Sequence, residues 1–142
     1  RDFREFLKLL EEEKVEYLLI GGYAVGYYGY PRATADMDVW IAVNPVNAEK
    51  VVQALKRFGM ITPDVTANLF LDKGKIIRVG LPPLRLEIQT EISGVEFASC
   101  FARRRRVKVG DLEINLIDLP DLKDNKRASG RHKDLEDLEH LP

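Results

Sequence analysis

Cysteine is almost missing from this chain. Cys100 is the single one in 142 residues, which excludes an internal disulfide framework and a cysteine-only zinc site. Net charge is almost missing as well, at −1. Nothing draws the chain as a whole toward nucleic acid or an anionic membrane, and any such contact falls to a local patch. No apolar run approaches the ~18 residues that cross a bilayer, and no signal-peptide pattern is present. No membrane role is expected, and a cytoplasmic location follows by default. The two histidines, His132 and His140, lack companion ligands and read as surface residues.

What is present is the mixture of an ordinary globular protein, 45% hydrophobic and 32% charged, enough to bury one core without staples. One domain over 1–142 is expected, with a core at about 15–118 and C-terminal helices at about 119–142. Phe3, Phe6, Leu7, Leu9 and Leu10 recur at helical spacing, so 2–13 reads as a helix capped by Asp2, with Glu5 three residues on. Asn44-Pro45 opens a second helix that runs to Phe58 and ends at Gly59. Asp64 to Phe70 suggests a short helix, Lys73-Gly74-Lys75 a hairpin-type turn, and Ile76 to Leu81 a strand.

The stretch from Leu19 to Ala42 organises the rest. An apolar run, Tyr17 to Ile20, ends in Gly21-Gly22; a small-residue, tyrosine-rich segment leads to a turn at Tyr30-Pro31; Asp36-Met37-Asp38 then runs into Val39-Trp40-Ile41. Side chains alternate along a strand, so Asp36 and Asp38 share one face while Met37 and Val39 share the other. Two carboxylates side by side repel unless a cation sits between them. Paired glycines let backbone approach a phosphate with no Cβ in the way. Gly22 to Tyr28 reads as a short helix whose N-terminus faces the site. Together these features suit a metal-bound nucleoside triphosphate. Arg32 is a candidate phosphate contact. Tyr23, Tyr27 and Tyr28 offer rings to stack on a base, though for two of the three core packing or plain exposure is expected; Tyr23 is the candidate.

Ile20-Gly21-Gly22 followed, after residues 23–35, by Asp36-Met37-Asp38-Val39 resembles the signature of the DNA-polymerase-β-like nucleotidyltransferase superfamily. The resemblance implies an α+β fold with a mixed central sheet flanked by helices and a C-terminal helical segment. It also implies a metal-binding triad completed by an acidic residue on a neighbouring strand. Alternation in 83–89 puts Arg85, Glu87 and Gln89 on one face, and Glu87 matches that third acid. The family usually carries Asp there; this chain carries Glu. Lys126 to Leu138 resembles the Lys…Arg-x-x-Asp-x-x-Asp element of stand-alone nucleotidyltransferases from bacterial toxin–antitoxin and abortive-infection (AbiEii-like) systems. By that resemblance Lys126 and Arg131 are phosphate ligands, and Asp134 and Asp137, on one helical face, orient the basic residues.

The implied chemistry moves a nucleoside monophosphate from a triphosphate to a hydroxyl of a protein, an RNA such as tRNA, or a small molecule. Asp36, Asp38 and Glu87 would hold Mg²⁺, or Mn²⁺ in its place; Gly21, Gly22, Tyr23, Arg32, Lys126 and Arg131 would hold the nucleotide. The competing reading is a nucleotidyltransferase-like domain that acts by binding a cognate toxin or antitoxin. The run Arg103-Arg104-Arg105-Arg106 begins a strand that turns at Gly110-Asp111. Its arginines alternate between faces, which suits a charged sheet edge better than one basic patch.

Overall fold

A computed structural model of the chain describes residues 2–31 and 33–142, and Arg32 lies outside the described residues. The elements in order are α1 (Phe3–Glu12), β1 (Tyr17–Ile20), α2 (Gly21–Tyr27), β2 (Asp36–Ile41), α3 (Pro45–Phe58) and a 3₁₀ turn (Ala67–Phe70). They continue through β3 (Ile76–Val79), β4 (Arg85–Gln89), α4 (Phe97–Ala102), β5 (Arg105–Val109), β6 (Leu112–Leu116), α5 (Leu119–Ser129) and α6 (His132–His140). The fold is α+β. Six strands form one open sheet in the order β3-β4-β2-β1-β6-β5, with six α-helices around it among the described residues. The β2–β4 and β1–β6 pairs are parallel and the rest antiparallel, so the sheet is mixed. A parallel neighbour requires a long crossover, and α3 lies in the one between β2 and β4.

Local chemistry explains the boundaries. The Asp2 side chain accepts the Glu5 amide at 2.8 Å, and Asn44 caps α3 by accepting the Asn47 amide at 2.8 Å. Met37, Val39, Leu86 and Ile88 are buried on the apolar side of the central strands, in one core with Phe6, Leu10, Val51 and Leu55. On the opposite side Trp40 follows Asp36 and Asp38 by alternation, and the Phe97 ring of α4 covers it edge-on at 5.1 Å. The sheet is therefore closed over Trp40 and open over the two aspartates. Among the described residues no helix is long and apolar enough to cross a membrane.

Asn47 fixes the two central strands to each other. Its amide nitrogen donates to the carbonyls of Ala42, at 2.8 Å, and Glu16, at 3.1 Å, while its oxygen accepts the Glu16 amide at 2.8 Å. Those groups lie at the exit of β2 and the entry of β1. Asn47→Ala takes the partner from the Ala42 carbonyl and the Glu16 amide, while the Glu16 carbonyl keeps the Ala42 amide at 3.1 Å, and a loss of about 2 kcal/mol is expected in urea denaturation.

One local expectation changes. Lys73-Gly74-Lys75 is a turn but not a hairpin, because the 3₁₀ turn, not a strand, lies directly before it, and β3 pairs with β4 further along the chain. The arginine run does not make a patch. Arg103 is bidentate on Asp121 at 2.8 and 3.0 Å, Arg104 lies over the Phe101 ring at 4.1 Å, and Arg106 pairs with Glu11 at 3.0 Å. These side chains are tied to their own neighbourhoods, consistent with a charged edge strand at β5.

Candidate functional site

Strand register assembles the site. Ile20 of β1 lies opposite Asp38 of β2, Asp38 opposite Glu87 of β4, and Glu87 opposite Arg78 of β3; one step along, Asp36 lies opposite Arg85. Residues far apart in sequence thus form two cross-strand rows on the open side of the sheet. Above them is a polar cavity of about 940 Å³, whose lining includes Gly21, Gly22, Asp36, Asp38, Glu87 and Arg131.

Gly21 is required twice over. Its φ is +71°, in the region that L side chains rarely adopt, and a Cβ there would collide with the Asp38 carboxylate. The bare backbone lets β1 turn into α2 against that carboxylate. At Gly22 a Cβ would press on Thr34 at 3.0 Å, and Thr34 in turn donates to the Asp36 carbonyl at 3.2 Å. Gly21→Ala is expected to displace Asp38 and to destabilise the chain by about 2 kcal/mol, read as a lowered melting midpoint.

The acidic groups differ in environment. Arg85 donates to Asp36 Oδ2 from Nη2 at 2.6 Å and from Nε at 3.0 Å, while Oδ1 of Asp36 is buried with no hydrogen-bond partner. Glu87 accepts from Arg78 Nε at 2.8 Å. Asp38 accepts from Gln89 Nε2 at 3.4 Å, and among the described residues no arginine pairs with it. Burial first, then a hydrogen bond with Glu87 and the charges of Glu87 and Asp36, push the Asp38 carboxyl up to about 7. Asp38 therefore keeps its proton up to near neutrality.

Among the described residues no three His, Cys, Asp or Glu side chains stand together as a metal cage. Asp36 and Asp38 nevertheless suit a hard divalent cation: both offer oxygen, and the orphaned Oδ1 of Asp36 lacks a positive partner. Glu87 joins them only if Arg78 releases it.

The opposite wall comes from the C-terminal helices. Gly130, in the left-handed conformation, ends α5, and the chain reverses into α6. Asp134, fully buried, receives Ser129 Oγ at 2.7 Å, Arg131 Nε at 2.8 Å and Lys126 Nζ at 3.2 Å. Burial alone would push its carboxyl up, but the bonds from Arg131, Ser129 and Lys126 outweigh that and hold it well below the usual carboxylate range. Lys126 also pairs with Asp137 at 3.0 Å. Its ammonium is sunk in the wall, with the side chain 5% exposed, whereas that of Arg131 is 65% exposed. Asp134 holds the Arg131 guanidinium at the cavity, where Asp38 and Glu87 also raise its affinity for its proton.

The structure thus brings Gly21, Gly22, Asp36, Asp38, Glu87, Lys126 and Arg131 to one cavity. It does not bring the Tyr23 ring there: that ring packs edge-on against Phe3 at 5.6 Å and lines a separate apolar cavity. Sequence reasoning missed Arg78 as a site residue and gave Arg85 no partner. Alternation in both strands was the available signal, but only the cross-strand register pairs each arginine with its acid.

No protein-family model and no curated protein sequence matches the chain. Similar solved structures exist. A candidate nucleotidyltransferase of Thermotoga maritima, TM1012, matches with a TM-score of 0.66 at 16% identity, covering 96% of this chain and 87% of that one. JHP933 of Helicobacter pylori matches with a TM-score of 0.50 at 18% identity over 95% of this chain, which spans 60% of the length of JHP933. At these identities the likeness is one of fold: the chain has the fold of TM1012, the mixed sheet described above with its flanking helices.

Proposed function

We propose that this protein is a nucleotidyltransferase that uses Mg²⁺, or Mn²⁺, to move a nucleoside monophosphate from a nucleoside triphosphate to a hydroxyl group. The observation that carries the reading is the pair Asp36–Asp38, one oxygen orphaned, set against the bare backbone of Gly21 on the floor of a polar cavity faced by Arg131. A fold shared with a candidate nucleotidyltransferase supports it. The divalent ion, held by Asp36 and Asp38, would neutralise phosphate charge and lower the pKa of the attacking hydroxyl.

In this reading the chain's own residues position and neutralise. The bond that forms joins the acceptor oxygen to the α-phosphorus; the bond that breaks releases pyrophosphate. The bare backbone of Gly21 and Gly22 would face the β and γ phosphates, and Arg131 would balance their charge. Lys126 acts one step back, holding Asp134, which holds Arg131. Arg85 and Arg78 occupy the acids in the free protein and must yield as the metal-bound nucleotide enters. By the sequence resemblance, the setting is a toxin–antitoxin or abortive-infection system, with a protein, an RNA such as tRNA, or a small molecule as acceptor.

One observation favours a second reading. With Arg85 on Asp36 and Arg78 on Glu87, most of the acidic charge is already neutralised, as suits a domain that acts by binding a cognate toxin or antitoxin. Incubation with triphosphates labelled at the α-phosphate, Mg²⁺ and a cell extract separates the two. Transfer of label that disappears in both Asp36→Asn and Asp38→Asn, with the fold intact, supports the enzyme. Transfer that survives in either variant removes it, and a stoichiometric partner retained by both variants supports binding.

A further inference from the structure

The basic lining of the acidic cavity is lopsided. Among the described residues Lys126, Arg131 and Lys133 reach it from the C-terminal helical wall, while Arg78 alone reaches it from the sheet. Arg78 ends the cross-strand row that runs Ile20, Asp38, Glu87, Arg78. Neighbouring strands lie about 4.8 Å apart, so its backbone stands about 10 Å from that of Asp38. β3 is the edge of the sheet, and Gly74, Ile76 and Glu91 line the same end of the cavity.

The row has a direction. In the nucleotidyltransferase reading, on which the role of this end rests, the β and γ phosphates face Gly21 and Gly22, where β1 turns into α2. Transfer runs in line, so the attacking oxygen arrives from the side opposite the departing pyrophosphate, which is the β4–β3 end. The acceptor oxygen bonds to the α-phosphorus, the bond to pyrophosphate breaks, and the hydroxyl proton leaves to water. The acceptor therefore reaches the acids past Arg78.

Arg78 is placed to change partners. Its side chain is 55% exposed and holds Glu87 through Nε at 2.8 Å, whereas Arg85 grips Asp36 through two nitrogens. When Glu87 turns to a cation at the site, the guanidinium at the rim loses its anion. Its planar fork fits a phosphate. One such cation lines this end, and the Glu91 carboxylate on the same rim repels a second phosphate. A polynucleotide makes several phosphate contacts at once, and Arg103, Arg104 and Arg106 are tied to their own neighbourhoods. The cavity's volume of about 940 Å³ is at the upper end for small-molecule sites, in keeping with a nucleotide and a small companion.

We propose that the β3 end of the cavity is the acceptor subsite, and that it takes a small hydroxyl compound carrying one phosphate ester, held by Arg78 once Glu87 releases it.

The probe is glycerol 3-phosphate, with glycerol as its uncharged control, titrated into the whole chain without metal or nucleotide and followed by the Gly74 and Ile76 amides in NMR. In the parent Glu87 occupies Arg78, and weak binding is expected. Glu87→Gln frees the guanidinium and is expected to tighten glycerol 3-phosphate binding several-fold, with no response to glycerol. Adding Arg78→Gln should abolish the gain, and adding Arg78→Lys should keep part of it, because an ammonium lacks the fork. Adding Lys133→Gln, which removes a cation of the opposite wall, should leave the gain intact. No tightening in Glu87→Gln, a gain that survives Arg78→Gln, or one lost equally in Lys133→Gln would overturn the proposal. Tighter, salt-dependent binding of an oligoribonucleotide at the same amides would overturn it in favour of a polymer. These readouts use neither metal nor triphosphate, so their failure is distinct from a failure of the nucleotidyltransferase reading, which shows as no stabilisation by any Mg²⁺–triphosphate.

Discussion

Asp38→Asn is expected to make the free protein more stable and, at the same time, to abolish Mg²⁺-dependent nucleotide binding. Asp38 is buried against Glu87, and its carboxyl is pushed up to about 7 by that burial and by its acidic neighbours. In the unfolded chain an aspartate ionises near pH 4. Between these values the folded state holds a proton that the unfolded state has lost, so the parent protein loses stability as pH rises from about 4 to about 7, and the loss is complete above that. Asparagine removes the ionisation. At pH 8 the variant is expected to gain on the order of 2 kcal/mol, and its stability should change less with pH than that of the parent across this window. Urea melts of the two chains at several pH values measure the difference. The same linkage makes the parent's affinity for a divalent cation rise as pH climbs through 7, because the cation competes with the proton. A site that costs stability when empty is what a carboxylate retained for its ligand produces. A variant less stable than its parent at pH 8 would show that Asp38 serves the fold instead.

The second large effect lies in the C-terminal helices. Lys126→Met removes a cation that pairs with both Asp137 and Asp134. All three side chains are buried. Breaking a buried ion pair by deleting one partner costs about 3–5 kcal/mol, because a buried charge loses compensation in a poor solvent. A loss of that size is expected, with α6 loosening from α5 and Arg131 losing its anchor. Adding Asp137→Leu should recover part of it, since apolar packing replaces a buried ion pair at little net cost. A direct phosphate ligand behaves differently: its removal lowers nucleotide affinity and leaves the melt almost unchanged. The two variants therefore separate an anchoring lysine from a ligating one.

The elements that could be read in the sequence are those set by local periodicity. The stripes of α1 and α3, their caps at Asp2 and Asn44, the break at Gly130 and the shared face of Asp36 and Asp38 depend on residues a few positions apart. The pairings of Arg85 with Asp36 and of Arg78 with Glu87 depend on β4 lying beside β2 and β3 beside β4, which no local pattern states. Lys126 looked available because its burial is created by α6 folding back over α5, bringing Asp134 and Asp137 onto it. Tyr23 was offered as a ring to stack on a base, but its position on the helix turns the ring toward Phe3. Gly21 was read as room for a phosphate; the structure shows that Asp38 already needs that room.

The central claim is that Asp36 and Asp38 form the floor of a site for a metal-bound nucleoside triphosphate. Its most direct test is the melting midpoint of the whole chain with each of the four ribonucleoside triphosphates, with and without Mg²⁺, beside an Asp36→Asn, Asp38→Asn double variant. A ligand present at about 100 times its Kd adds roughly 2.7 kcal/mol of stability, an easily visible shift. The account predicts such a shift for at least one triphosphate, dependent on Mg²⁺ and lost in the double variant. No shift with any triphosphate, or one of equal size in the double variant, would contradict it.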